Sequence, residues 1–143
     1  AGTGSSASAE REAAAKADSL VDFVGLSEFR DADVATLSFG QGRLLEIARA
    51  LAAEPRLMLF DEPAAGLTAA ECRRLEEIVR TIAKRGISVL LIEHDMRFLM
   101  SLADRVAVLN FGRKIADDTA AEVQQHPEVV LAYLGNLKDL QNA

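Results

Sequence analysis

Four apolar residues run directly into two acids and a proline at Leu57-Met58-Leu59-Phe60-Asp61-Glu62-Pro63. A continuous apolar run this short predicts a strand buried on both faces, as parallel sheets require. The acids then fall at the strand's carboxyl end, the edge at which open α/β sheets bind ligands. A strand that merely ends in a capping Asp has the same wording, so the flanking segments decide. Residues 87–92 form a second continuous apolar run and 106–109 a third. Amphipathic helices are predicted between them. One is capped by Ser38 and runs to about Ala53, with Leu44, Leu45, Ile47, Ala48 and Leu51 on its apolar face. The next opens on a Thr68/Glu71 capping box and places Leu75, Ile78, Val79 and Ile82 inward. Lys84 and Arg85 complement its negative end and Gly86 stops it. Strands alternating with helices predict an α/β fold with parallel strands flanked by helices.

The remaining segments are read by the same signals. Residues 1–8 are small and polar, and a disordered end is expected there. Ala13, Ala17, Leu20, Val21 and Val24 recur at helical spacing over 9–24, Glu12 precedes Lys16 by four, and Gly25 fits a C-terminal cap. Residues 26–36 read as loop. Asp95 caps a short helix to Ala103, and Phe111-Gly112 turns the third strand back through 113–116. Thr119 and Glu122 repeat the capping-box wording before Pro127 interrupts, and a last helix over 128–134 ends at Gly135. There is no internal repeat.

Composition excludes several classes. Half of the 143 residues are hydrophobic, which is not a disordered composition. The net charge is −6 with no basic cluster, so no nucleic-acid partner is expected. No apolar run has membrane-spanning length and no signal peptide is visible, so direct membrane insertion is not expected either. Cys72 stands alone, which rules out an internal disulfide framework and fits a reducing compartment.

The chemistry-bearing residues fall beside the predicted strand ends. Adjacent residues on an extended strand point in opposite directions, so Asp61 can face a metal while Glu62 faces a water. A helix beginning at Ser38-Phe39-Gly40-Gln41 offers unpaired amides and a positive dipole end to phosphate, and Gly40 lets backbone approach an anion closely. Taken alone, the same four residues are an ordinary N-cap with a loosened first turn. His94 follows the 87–92 strand and precedes Asp95. His126, before Pro127, has no motif around it and is read as structural or exposed.

In order, Leu37-Ser38-Phe39-Gly40-Gln41, Asp61-Glu62, Ala64-Ala65-Gly66-Leu67-Thr68 and Ile92-Glu93-His94-Asp95 resemble the C-terminal half of an ATP-binding cassette (ABC) ATPase over about 20–135. The wording of 46–51, 62–67 and 92–96 is similar to ATP-binding subunits of branched-chain amino acid importers. The resemblance implies a partial P-loop NTPase core plus part of the helical subdomain. It divides the chain into a disordered end at 1–8, part of the helical signature subdomain at 9–54, the C-terminal half of the ATPase core at 55–135, and a tail at 136–143. It makes Asp61 the magnesium ligand, through water, Glu62 the catalytic glutamate and His94 the H-loop histidine at the γ-phosphate. Ser38, Phe39, Gly40 and Gln41 become the signature motif for ATP held by the opposite subunit, and Gly66, Leu67 and Thr68 the D-loop. Implied cofactors are ATP and Mg²⁺. Implied partners are a second ATPase subunit, identical or not, and transmembrane permease subunits, with the protein on the cytoplasmic face of the plasma membrane.

Three departures and one gap accompany the resemblance. Phe39 stands where Gly is commonest in the superfamily, and this importer branch often carries an aromatic there. Gly42 replaces a polar or basic residue and weakens the helix start by up to about 1 kcal/mol. Thr68 replaces the usual Asp or Asn, keeping the cap and losing the charge. No Gly-x-x-x-x-Gly-Lys-[Ser/Thr] occurs and no Gly precedes Lys. The phosphate-cradling loop, adenine-stacking aromatic and permease-coupling glutamine are therefore expected before Ala1, and this chain alone is expected to be inactive. The central strand of the resembled sheet is absent too, so self-association through the 87–92 strand edge is expected. The alternatives are a lipopolysaccharide-export or DNA-repair ABC ATPase, the latter disfavoured by the lack of heptad arms, and a non-catalytic interaction module.

Overall fold

The strand that opens the sequence argument is present as β1, Leu57–Asp61, and it pairs in parallel with β2, Ser88–Ile92. The computed structural model describes residues 3–134, and the tail from 135 onward, including Gly135, lies outside the described residues. The chain forms two compact units, Ala1–Ile92 and Glu93–Ala143.

In the first unit, α1 spans Thr3–Val24. It starts well before Ala9, so the disordered end expected over 1–8 is corrected for 3–8. No proline lies in 3–8, and the alanine-rich stretch that follows propagates the helix backward despite a cost of about 1 kcal/mol at Gly4. Its C-terminus closes as a Schellman motif at Gly25, whose φ is +82°. The Leu26 amide donates to Val21 O at 2.9 Å and the Gly25 amide to Asp22 O at 3.0 Å. Leu26 turns in behind it and is buried. Two short 3₁₀ turns, Ser27–Phe29 and Val34–Thr36, interrupt the expected loop. Helix α2, Phe39–Ala52, packs on α1, and Lys16 reaches Glu54 at its far end rather than pairing along its own helix.

Helix α3, Ala69–Lys84, is the core of this unit. Leu75 and Ile82 are fully buried, and Ile78 and Val79 nearly so, on the face that periodicity predicts. Arg85 lies 4.1 Å from the centre of the Phe23 ring, and Arg74 donates to Phe23 O at 3.3 Å. The cations around α3 therefore tie it to the end of α1 as well as answering its dipole.

The strands correct one expectation. Met58 is buried, but Leu57, Leu59, Leu90 and Ile92 are each more than half exposed. The register pairs Leu57 with Ser88, Leu59 with Leu90 and Asp61 with Ile92, so these residues share one face. Helix α3 packs against β2. Only one sheet face is covered within the described residues, although the sequence is written for two.

The second unit begins with α4, Met96–Leu102, after Asp95, whose Oδ1 accepts from the Arg97 amide at 2.9 Å and the Phe98 amide at 3.2 Å. Strands β3, Arg105–Asn110, and β4, Arg113–Thr119, form an antiparallel hairpin longer than the 113–116 return predicted. Its two-residue turn needs positive φ at both positions, which Phe111 at +48° and Gly112 at +74° supply. A bulge follows Val108. Short helices α5, Ala120–Val123, and α6, Pro127–Val129, complete it, and the chain continues as a π-helical turn over Val130–Leu134. Thr119 caps α5 as its wording predicts, accepting from the Glu122 amide at 3.3 Å.

Candidate functional site

Residues 38–41 fold as a closed helix start. Ser38 Oγ accepts from the Gln41 amide at 3.2 Å, and Gln41 Oε1 accepts from the Ser38 amide at 2.8 Å. The sequence reading found the cap but not that Gln41 completes the box; the Ser-x-x-Gln spacing carried that signal. Gly40 is buried, whereas Ser38 and Phe39 are exposed. Arg43, one turn on, lies 5.3 Å from the Phe39 ring centre and 3.2 Å from a Glu46 carboxylate oxygen. Its Nε is buried without a hydrogen-bond partner.

Asp61 ends β1 and is exposed, as is Glu62. The two acids do not both lie on extended strand, although the sequence leads one to expect it. Glu62 has left the strand, with φ at +45°, which is left-handed backbone rather than extended. Its amide still donates to Ile92 O at 2.9 Å, and its carbonyl accepts from the Ala65 amide at 3.2 Å. This change of backbone between the two acids is one that no residue type announces. Pro63 is buried behind them.

The following turn places Gly66 at φ +76° and ends in Thr68. Thr68 opens α3 with a complete capping box. Its amide and hydroxyl both donate to Glu71 Oε2 at 2.8 Å, and its Oγ1 accepts from the Glu71 amide at 3.3 Å. These bonds hold the Glu71 carboxyl below the usual glutamate range, the Thr68 amide contributing most. Thr68 therefore keeps the capping role expected of it. Leu67 is half-buried between Gly66 and this cap.

Ser38–Gln41, Asp61, Glu62 and Gly66–Thr68 thus all belong to the first unit. A cleft of about 310 Å³ opens there, lined among others by Arg43, Glu46, Ile47, Met58, Asp61 and Leu75. Arg43 is the residue that sequence reasoning passed over; an Arg after a glycine-rich helix start was the available signal. His94 belongs to the second unit, exposed on the turn between β2 and α4, with its amide donating to Glu93 Oε2 at 3.2 Å. His126 is half-buried, and its Nδ1 has no hydrogen-bond partner. Cys72 is half-buried in the first turn of α3. Among the described residues no group of three His, Cys, Asp or Glu could hold a metal ion, and no helix is long and apolar enough to cross a membrane.

Comparison with known proteins gives a consistent picture. An ABC transporter family model matches residues 3–65, and a model of the branched-chain amino acid ATP-binding cassette transporter matches residues 113–136. The chain is 42% identical over 127 residues to the high-affinity branched-chain amino acid transport ATP-binding protein BraF of Pseudomonas aeruginosa, covering 88% of this chain and 50% of BraF. It is 37% identical over 128 residues to the corresponding protein LivG of Escherichia coli K12, covering 89% of this chain and 50% of LivG. The chain spans about half the length of these curated relatives. Its fold matches the ADP conformation of MJ1267, an ATP-binding cassette of an ABC transporter, with a TM-score of 0.78 and 32% identity over 87% of this chain and 50% of that one. It also matches cbiO1 of Clostridium perfringens, part of the transporter complex cbiONQ, with a TM-score of 0.76 and 28% identity over 94% of this chain and 55% of that one. With the ordered motifs and an α/β fold of this kind, the chain belongs to the ATP-binding family of ABC transporters.

Proposed function

We propose that this chain is the signature-to-hairpin part of an ATP-binding subunit whose ATP hydrolysis drives import, the solute being a branched-chain amino acid. The observation that carries the reading is the presence, in one unit, of a capped phosphate-type helix start at Ser38 and an acid pair at the carboxyl end of β1. The names of BraF and LivG support the solute class.

The residues fit magnesium and nucleotide. The exposed carboxylate of Asp61 at a strand end suits an ion that takes one or two carboxylates, waters and substrate phosphates. When bound, Mg²⁺ neutralises charge on the phosphate oxygens and ATP supplies the transferable phosphoryl group. The chain's own residues do the rest. Glu62 orients and deprotonates the attacking water, and His94 donates a hydrogen bond to the γ-phosphate. Ser38 presents its hydroxyl and Gly40 its amide to the ATP of an opposing subunit, with Gln41 closing the cap behind them and Phe39 shielding that turn. Gly66, Leu67 and Thr68 lie along the subunit contact. Docking on permease subunits places the assembly at the inner membrane face.

The rival reading is a non-catalytic interaction module. Joining this chain to a phosphate-loop half from a relative tests between them. Phosphate release with magnesium and ATP is expected from the joined protein and not from this chain alone. Glu62→Gln should abolish it while leaving ATP bound in a dimer. A joined protein that binds no nucleotide would establish the interaction module instead.

A further inference from the structure

Two helix starts meet at Gly40. A β-carbon there would stand 2.1 Å from Glu71 Oε1 and 2.6 Å from its carboxyl carbon, so only hydrogen fits. The Glu71 side chain cannot simply swing away, because its other oxygen is held by the amide and hydroxyl of Thr68. The space at Gly40 is thus filled by the capping box of α3. A second contact runs parallel to it. A β-carbon on Gly66 would meet Phe39 Cε1 at 3.4 Å, which places the Phe39 ring against the Gly66 turn. Gly42, two residues further on, meets nothing within 4 Å. The close fit is therefore particular to the residue that faces α3.

We propose that Glu71 is a positioning residue: locked by Thr68 and keyed into the space at Gly40, its carboxylate holds the Ser38–Gln41 turn to the Gly66–Thr68 turn, so that both move as one body. A carboxylate in this place stands beside the first turns of α2 and α3 at once, where both positive helix ends favour it. The nucleotide-facing role of the two turns rests on the function proposed above; the joint between them does not. On that reading, a push on the Gly66–Thr68 turn from an opposing subunit is delivered to the phosphate-facing turn of the same subunit.

The joint has a spectroscopic signature in the 143-residue chain. The Phe39 ring shifts the α-proton resonances of Gly66, and Phe39→Leu gives the value without the ring. Glu71→Ala should move the Gly66 resonances to that Phe39→Leu value, although residue 71 touches neither the ring nor Gly66 in this scheme. Glu71→Gln, which still accepts from Thr68, should keep them near the parent value. Glu71→Ala leaving Gly66 unshifted while the Thr68 amide exchanges faster would reduce Glu71 to a cap of α3 and overturn the proposal. Should Glu71→Ala not fold, thermal unfolding of the glycine variants decides. Gly40→Ala is expected to lower the midpoint and Gly42→Ala to raise it, and a rise in both would overturn the joint. Neither readout involves nucleotide, so a failed phosphate-release assay leaves this result standing, and the reverse holds.

Discussion

The two faces of the β1–β2 sheet are both largely apolar and differ in how far they are covered. Met58 is buried on one face, whereas Leu59, its neighbour in sequence, is 68% exposed on the other. Leu57, Leu90 and Ile92 share that second face. Leu75 of α3, in the core of the same unit, is completely buried. Hydrophobicity alone therefore does not make core. A side chain stabilises the fold through the partner that removes water from it, and on the Leu59 face the described residues supply none.

The contrast can be broken most strongly at its covered end. Leu75→Ala should lower unfolding free energy by about 2–5 kcal/mol, the range for emptying a well-packed leucine site. Leu59→Ala, equal in chemistry, should change it by less than about 0.5 kcal/mol. Denaturant midpoints of the two variants measure the difference, and equal losses would mean that both faces are covered in solution. A second copy of the chain is one such cover. Light scattering over a concentration series should show association of the parent chain, and Leu59→Lys should shift it toward monomer. A parent that stays monomeric at all concentrations removes that explanation.

Acid gives the smallest and most selective effect. Glu71 is held below its ordinary value of 4.5 by the Thr68 amide and hydroxyl, and Asp22 below 3.8, chiefly by the Ser27 hydroxyl and then by Arg30. A depressed folded value stabilises above the unfolded one and loses that contribution as pH falls through the folded value. Thermal midpoints should therefore fall below about pH 4.5, and Glu71→Gln should flatten part of that slope. Leu75→Ala should displace the whole curve and leave the acid slope alone.

Most of the architecture was legible because local chemistry and tertiary structure agree. The Thr68/Glu71 box, the Gly25 stop and the inward row Leu75, Ile78, Val79, Ile82 are all local signals that the fold keeps. The helix start at Thr3 was missed because Ser-Ala wording fits both an irregular end and a frayed helix. The exposed sheet face was missed because an apolar run states what a strand needs, not whether this chain provides it. The candidate site divides the same way. Motif order brought Ser38–Gln41, Asp61, Glu62 and the 66–68 turn into one unit, and His94 onto the expected turn. Neither the reversal at Glu62 nor the fit of Glu71 against Gly40 has a one-residue signature, since each depends on where a backbone bends or which helix arrives opposite.

The reversal at Glu62 sets stability against activity at a single position. A side chain in left-handed backbone costs on the order of 1 kcal/mol, which glycine avoids at the expense of a more flexible unfolded chain. A chain selected only for endurance would drift toward Glu62→Gly and away from the acid that the proposed chemistry requires. Thermostability screens that ignore turnover would therefore reward the loss of this residue, and heat resistance gained there should be taken as a warning rather than an improvement.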